Sequence, residues 1–307
     1  MKDIRIEKLE EGMIIPISFD YHFVRIFGQK DNMDILEYFI SDFYDIPIKD
    51  VTGNIELLSR DLKQDSKIEK SKQVDLLLSL NDKKINIEIS NTSSIGRKER
   101  DLVYLSKIHG GQLKYRDDYS SIGSSWQIRL NNIACNGGRV RRTYYMISND
   151  EDRYIYSSKF RIDNIDLVAA SKMEYNEDEK LIRWCRILRA KTRDEIIKEL
   201  GDEIMDKDSR DKLLKEVDRN SRNEEVYELY EKYSREEMER RTELKEAIEK
   251  TTKEVTDKVT KKVTSDVTKK VKKQSQVDMA KKMIDEKIEI DIISKVTGLS
   301  KSQIEKL

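Results

Sequence analysis

The sequence predicts an α/β protein: a mixed sheet flanked by helices, followed by a long helical C-terminal region. Three observations carry that reading. Residues 1 to about 170 mix short apolar runs with Gly, Asn and Ser turns, whereas from about Asn176 the chain is helix-forming and densely charged. Both prolines, Pro16 and Pro47, fall in the first fifty residues. Two apolar segments, Val74 to Leu80 and Ile85 to Ser90, stand on either side of the turn-forming Asn81-Asp82-Lys83-Lys84.

Taken in order, Asp31 to Tyr44 places Ile35, Leu36, Phe39, Ile40 and Phe43 at helical spacing. Asn54 to Leu58 reads as a short strand, ahead of the two stronger ones. Asn91 to Ser94 supplies N-cap residues for a helix over Arg97 to Lys114. Trp126 to Ala134, Thr143 to Ser148 and Ile162 to Ala169 read as further strands, and the alternation indicates a sheet with helices on it. Helices follow around Leu181 to Leu188 and Arg193 to Leu200, then a long one from about Asn223 to Gln276. The expected organisation is a sheet domain over 1–175, a helical extension over 176–222, the long helix over 223–276, and a short helical module over 277–307.

Inside the long helix, valine recurs at every fourth position: Val255, Val259, Val263, Val267 and Val271. On an ideal helix that stripe drifts by about 40° per repeat and wraps right-handedly. It is either a solvated stalk or a seam through which copies of the chain associate. Near the end, Gly298 stops a helix and Ser300 caps another, the outline of half a helix-turn-helix.

Composition bounds the function. Lys+Arg and Asp+Glu tie at 60 each, so the formal net charge is +0 and gives no global attraction to nucleic acid, leaving only a local basic patch. Two cysteines, Cys135 and Cys185, and two histidines, His22 and His109, exclude a disulfide framework and argue against a zinc site. No apolar run approaches the roughly 18 residues of a membrane span, and Met1 to Glu11 lacks a signal-peptide core. The expectation is a reduced, cytoplasmic protein.

The chemistry concentrates at Asp75 and Glu88. A hairpin turning at Asn81 to Lys84 pairs Leu80 with Ile85, puts Asp75 opposite Ser90, and makes Asp75 and Glu88 diagonal neighbours. Alternation then places Asp75, Leu77, Ser79, Asn86, Glu88 and Ser90 on one face. Two carboxylates aimed at one point repel unless a cation lies between them, and oxygen ligands favour Mg²⁺ or another hard divalent ion. Strand-end acids that merely face solvent are the plain alternative. Arg97 and Arg100 share a helix face, suited to phosphates or to ion pairs. Arg139, Arg141 and Arg142, behind Gly137-Gly138, form a basic loop suited to a DNA backbone or simply to solvent. Asp20 is either a third site carboxylate or the N-cap of a helix beginning near Tyr21.

The ordered set of these segments resembles a known family. Asp20-Tyr-His-Phe23-Val-Arg-Ile-Phe27-Gly28 is similar to the opening motif of the PD-(D/E)XK family transposases, or recombination-promoting nucleases. Lys72-Gln-Val-Asp75 through Glu88-Ile-Ser90 stands where that family has its D…E-x-Q core. Arg100 to Lys107 with Tyr104, then Tyr119, Trp184 and the Glu225-Tyr227-Tyr230-Arg235 region, resemble its continuation, and Thr297-Gly298-Leu299-Ser300 with Ile304 its ending. The resemblance implies a restriction-endonuclease-like fold and metal-dependent DNA endonuclease activity, with a role in recombination or mobile elements. It implies Asp75 and Glu88 as metal ligands and Ser90 as the third catalytic position. Ser90 departs from the pattern, since the superfamily has Lys there and this branch commonly Gln. A short hydroxyl cannot offset developing negative charge as an ammonium does. The second expectation is therefore a weakened or inactive nuclease fold that binds DNA or protein.

Overall fold

The computed structural model describes residues 9–62, 72–92, 96–149, 151, 153–175 and 179–307. The chain divides into two units, Met1–Lys232 and Tyr233–Leu307.

The first unit opens with α1 (Asp20–Phe27), α2 (Met33–Tyr44) and α3 (Ile48–Val51). The stripe Ile35, Leu36, Phe39, Ile40 and Phe43 is buried along α2, as its spacing requires. Strands β1 (Ile55–Leu57), β2 (Asp61–Leu62), β3 (Lys72–Gln73), β4 (Leu76–Leu80) and β5 (Lys83–Ser90) follow, then α4 (Arg97–Gly110). After α4 come β6 (Ser124–Asn131), β7 (Arg141–Ile147) and β8 (Ile155–Asp166). The unit closes with α5 (Leu167–Ala170), α6 (Glu179–Arg189), α7 (Arg193–Glu199), α8 (Lys207–Ser221) and the start of α9 (Glu224–Asp285).

Six strands form one mixed sheet in the order β1-β4-β5-β6-β8-β7, and β2 pairs with β3 apart from it. The central strands β5, β6 and β8 run parallel, while the outer pairs are antiparallel. One sheet face is apolar: Leu76, Leu78, Leu80, Ile85, Ile87, Ile89, Ile128, Leu130 and Ile165 are all buried. They join Phe23 and Phe27 of α1, Phe39 of α2 and Trp184 of α6 in one core, with Trp184 edge-on to Phe39 at 5.3 Å between ring centroids. The opposite face is covered by α4.

Several elements end where local chemistry stops them, short of the sequence expectation. Helix α4 ends at Gly110, followed by Gly111, rather than running to Lys114. Its N-cap is Gly96 at φ 78, not Asn91 or Thr92; Ser93 and Ser94 lie outside the described residues. Strand β8 stops at Asp166, whose carboxylate accepts from the Ala169 amide, so residues 167–169 turn into helix. Helix α9 continues past Gln276 because Val277, Ala280 and Met283 extend an apolar face.

In the second unit that face packs against α10 (Ile290–Thr297) and α11 (Lys301–Ile304) through Ile293, Leu299 and Ile304. Gly298 ends α10 at φ 73, and Ser300 with Gln303 forms a capping box on α11. Val255, Val259, Val263, Val267 and Val271 are each more than half exposed.

The β4–β5 hairpin corrects the expected register. Its turn is Asn81-Asp82 alone, with Asn81 left-handed at φ 54. Leu80 pairs with Lys83 and Leu76 with Ile87, so Lys83 and Lys84 belong to the strand. Lys83 is held there by its stem, its ammonium 5.5 Å over the Trp126 ring. Gly123 fits the hairpin against the start of β6: a Cβ there would meet the Asp82 carbonyl oxygen at 1.9 Å and Gln112 Oε1 at 2.9 Å. Gly123→Ala should therefore cost about 1–3 kcal/mol in denaturant unfolding, the usual range for overpacking. Gly110→Ala, whose Cβ meets nothing within 4 Å, should be neutral or stabilising; equal losses for both would remove close approach as the reason for glycine.

Candidate active site

The slip in register is two residues, so side-chain parity is unchanged. Continuing the pairing by one step puts Asp75 directly across from Glu88 rather than diagonal to it. Asp75 sits just before β4, and its Oδ2 accepts a 2.8 Å hydrogen bond from the Ile89 amide, which fixes the carboxylate on β5.

On β5 the inner face under α4 carries Asn86, Glu88 and Ser90. Parallel pairing sets these against Gln127, Arg129 and Asn131 of β6, three polar rungs that are all buried. Asn86 Nδ2 donates to Gln127 Oε1 at 3.3 Å and to Glu88 Oε1 at 3.4 Å. Glu88 Oε2 lies 3.7 Å from Arg129 Nη1 and 3.9 Å from Arg100 Nη2. Arg129 is 1% exposed and forms a second ion pair with Asp101 of α4. In the third rung, Asn131 accepts from Arg97 Nη1 at 3.2 Å, while Ser90 Oγ donates to the Thr92 carbonyl at 3.3 Å.

The electrostatics are set by burial. Burial raises the Glu88 carboxyl from its ordinary 4.5 to about 7, the Asp75 charge adds to the rise, and Arg129, Arg100 and the Asn86 amide oppose it. Asp75 is also raised, first by burial and then by the Asp20 charge, against the Ile89 amide, Arg129 and Arg60. Burial pulls Arg129 down to about 10, which leaves it charged at neutral pH.

Of the residues singled out in the sequence, the fold brings together Asp75, Glu88, Ser90, Arg97 and Arg100. Asp20 sits in the first turn of α1, where its Oδ1 accepts from the Tyr21 amide; the N-cap is Phe19. Its charge reaches Asp75, yet among the described residues no group of three or more His, Cys, Asp or Glu forms a metal set. The arginines near Gly137-Gly138 do not share a loop. Arg139 precedes β7, and Arg141 and Arg142 are its first residues, on opposite faces. Arg141 lies on the apolar side, donating to the Phe43 carbonyl and stacking on the Phe43 ring. Arg142 donates to the Asn136 carbonyl. His22 is buried beside the Pro16 carbonyl, and His109 meets Ser125 Oγ at 3.0 Å, away from the paired carboxylates in sequence register. Arg129 and Asp101 escaped the sequence reading. No local signal marks Arg129: alternating with Ile128 and Leu130 it reads as solvent-facing, and only the placement of β6 between β5 and β8 under α4 buries it with a counter-charge.

A donor set of two opposed carboxylates, each pushed toward protonation, fits a hard divalent cation, since the cation would relieve the repulsion that raises them. A pH dependence follows for the metal-free protein. Glu88 binds its proton more tightly folded than unfolded, so the folded state holds more protons from about 4.5 to about 7 and stability falls as pH rises through that window. In chelator, thermal melts between about pH 5 and pH 8 should show a decline that Glu88→Gln reduces; an identical decline in the variant would mean that another group controls it.

A family model, PD-(D/E)XK nuclease family transposase, matches residues 17–247, from before α1 into α9 and across every strand of the sheet. No curated protein and no solved structure matches the chain. The match covers well over half of the 307 residues and includes Asp75, Glu88 and the elements that hold them. The chain belongs to the PD-(D/E)XK nuclease family transposases.

Proposed function

We propose that the protein is a metal-dependent endonuclease that hydrolyses phosphodiester bonds in DNA, with Asp75 and Glu88 holding the divalent ion. The observation that carries this reading is the opposition of the two carboxylates at the end of the β4–β5 hairpin, both raised by burial. PD-(D/E)XK nucleases typically use divalent ions, and Mg²⁺ is the ion these oxygen donors favour. When bound, the ion polarises a phosphoryl oxygen and lowers the pKa of a bound water. The residues present divide the remaining work. The Ile89 amide orients Asp75, Asn86 orients Glu88, and α4 brings Arg100 to the opening of the site.

The Ser90 hydroxyl, donated to the Thr92 carbonyl, favours a second reading in which cleavage is weak and the fold serves as a DNA- or protein-binding module. Supercoiled-plasmid nicking with Mg²⁺ and with chelator separates the two. The nuclease reading expects Mg²⁺-dependent nicking that Asp75→Ala lowers by at least about 10²-fold, the scale on which charge-stabilising groups act. Plasmid retention without nicking would favour the module.

The exposed valine stripe of α9 supports a further part of the reading, association with a second copy of the chain. Sedimentation should then give a dimer or larger species that Val263→Lys/Val267→Lys reduces to monomer; a monomeric wild type would rule the association out.

A further inference from the structure

Ser90 brings no cation to the strand position beside Glu88, but arginines from α4 and β6 surround it. Three guanidiniums lie on this polar face, and two of them, Arg129 and Arg100, come within 4 Å of Glu88 Oε2. Arg129 is 1% exposed and ion-paired to Asp101, so it has no route to a substrate. Arg97 is half-buried, with Nη1 bound to Asn131 Oδ1. Arg100 differs from both: its side chain is 47% exposed, its Nη2 lies 3.9 Å from Glu88 Oε2, and its guanidinium rests 5.8 Å from the centre of the Tyr104 ring. It therefore borders the carboxylate on one side and solvent on the other.

We propose that Arg100 is the catalytic cation of this site, touching the scissile phosphate in place of the lysine that Ser90 replaces, with Arg129 and Asp101 as positioning residues that pin α4 so that Arg100 stays beside Glu88. The inference rests on the nuclease reading above. In the reaction, a water oxygen forms a bond to phosphorus and one ester P–O bond breaks. The proton lost by the attacking water is matched by the proton that the departing oxygen takes up from solvent. Negative charge gathers on the non-bridging oxygens between those events. A guanidinium offers paired N–H donors to just such oxygens. The adjacent residues of α4 divide the labour: Asp101 faces inward onto Arg129 and is buried, while Arg100 is exposed at the edge of the site.

The test uses the full chain with Mg²⁺ and plasmid DNA. Arg100→Ala should lower kcat about 10²–10³-fold, as expected for a lost transition-state partner, with a much smaller change in KM. Calorimetric Mg²⁺ binding and the melting temperature should stay near wild type, because Asp75 and Glu88 remain. Arg100→Lys should recover part of kcat. In the Arg100→Ala background, where one of the three guanidiniums is gone, Ser90→Lys should restore kcat at least tenfold, whereas in the wild type the added ammonium should lower the melting temperature. The proposal is overturned if Arg100→Ala cleaves within about threefold of wild type, if its loss lies in KM or Mg²⁺ affinity, or if neither lysine variant restores kcat. Failure of the underlying reading looks different: the wild type itself then shows no cleavage beyond Asp75→Ala, and the assignment of Arg100 falls with it.

Discussion

The buried charge chain Glu88–Arg129–Asp101 is the constraint on which the rest of the site depends. The sheet face toward α1, α2 and α6 closes mainly by apolar packing, with Trp184 Nε1 donating to Asp42 and the Arg161–Asp163 pair satisfied within it. The other face cannot, because β5 and β6 present Asn86, Glu88, Ser90, Gln127, Arg129 and Asn131 to the interior. A guanidinium in that layer is tolerated only with counter-charge, and it draws one acid from β5 and one from α4. Removing one partner of a buried pair of this kind strands the other, at about 3–5 kcal/mol. Helix α4 therefore cannot lift from the sheet without exposing that cost, and Arg100, which precedes Asp101, is held beside Glu88 as a consequence.

The balance of charge at Glu88 is unusual for an ion-paired carboxylate. In an ion-pair network the carboxylates are held below their ordinary range, since each gains more from its partners than it loses by burial. Here two guanidiniums lie within 4 Å of Glu88 Oε2, and the carboxyl is still raised to about 7. Burial and Asp75 outweigh both cations. The protein alone thus leaves the site short of positive charge at the point where Asp75 and Glu88 meet. Perturbation by desolvation together with a specific like-charge partner supports the site assignment proposed above.

How much of this was legible in the sequence follows from the period of each element. Strand parity survived a register error because the slip was even: moving the pairing by two residues kept Asp75, Glu88 and Ser90 on one face, where a slip of one would have separated them from it. The error arose at Lys83 and Lys84, read as turn residues, because the Trp126 ring that holds Lys83 belongs to a distant strand. Arg129, alternating with Ile128 and Leu130, carries no local sign of burial, and its partner Glu88 is set by parallel pairing across the intervening α4, which no local pattern records. Arg141 and Arg142 failed as a shared patch for the opposite reason. Once β7 begins at Arg141, neighbours in sequence must face opposite sides.

Ser90 acquires a physical reason in this setting. It pairs with Asn131, the acceptor of Arg97, and lies two residues along β5 from Glu88, whose neighbours already include Arg129 and Arg100. A lysine at this position would place another ammonium among three guanidiniums in a buried layer, where like charges repel strongly and hydration cannot screen them. The serine hydroxyl instead closes on the Thr92 carbonyl and adds no charge. With Arg100 of α4 as the proposed cation, the strand position is free to be small. Its small side chain then leaves room for the helix-borne arginines without changing the pair of carboxylates that define the site.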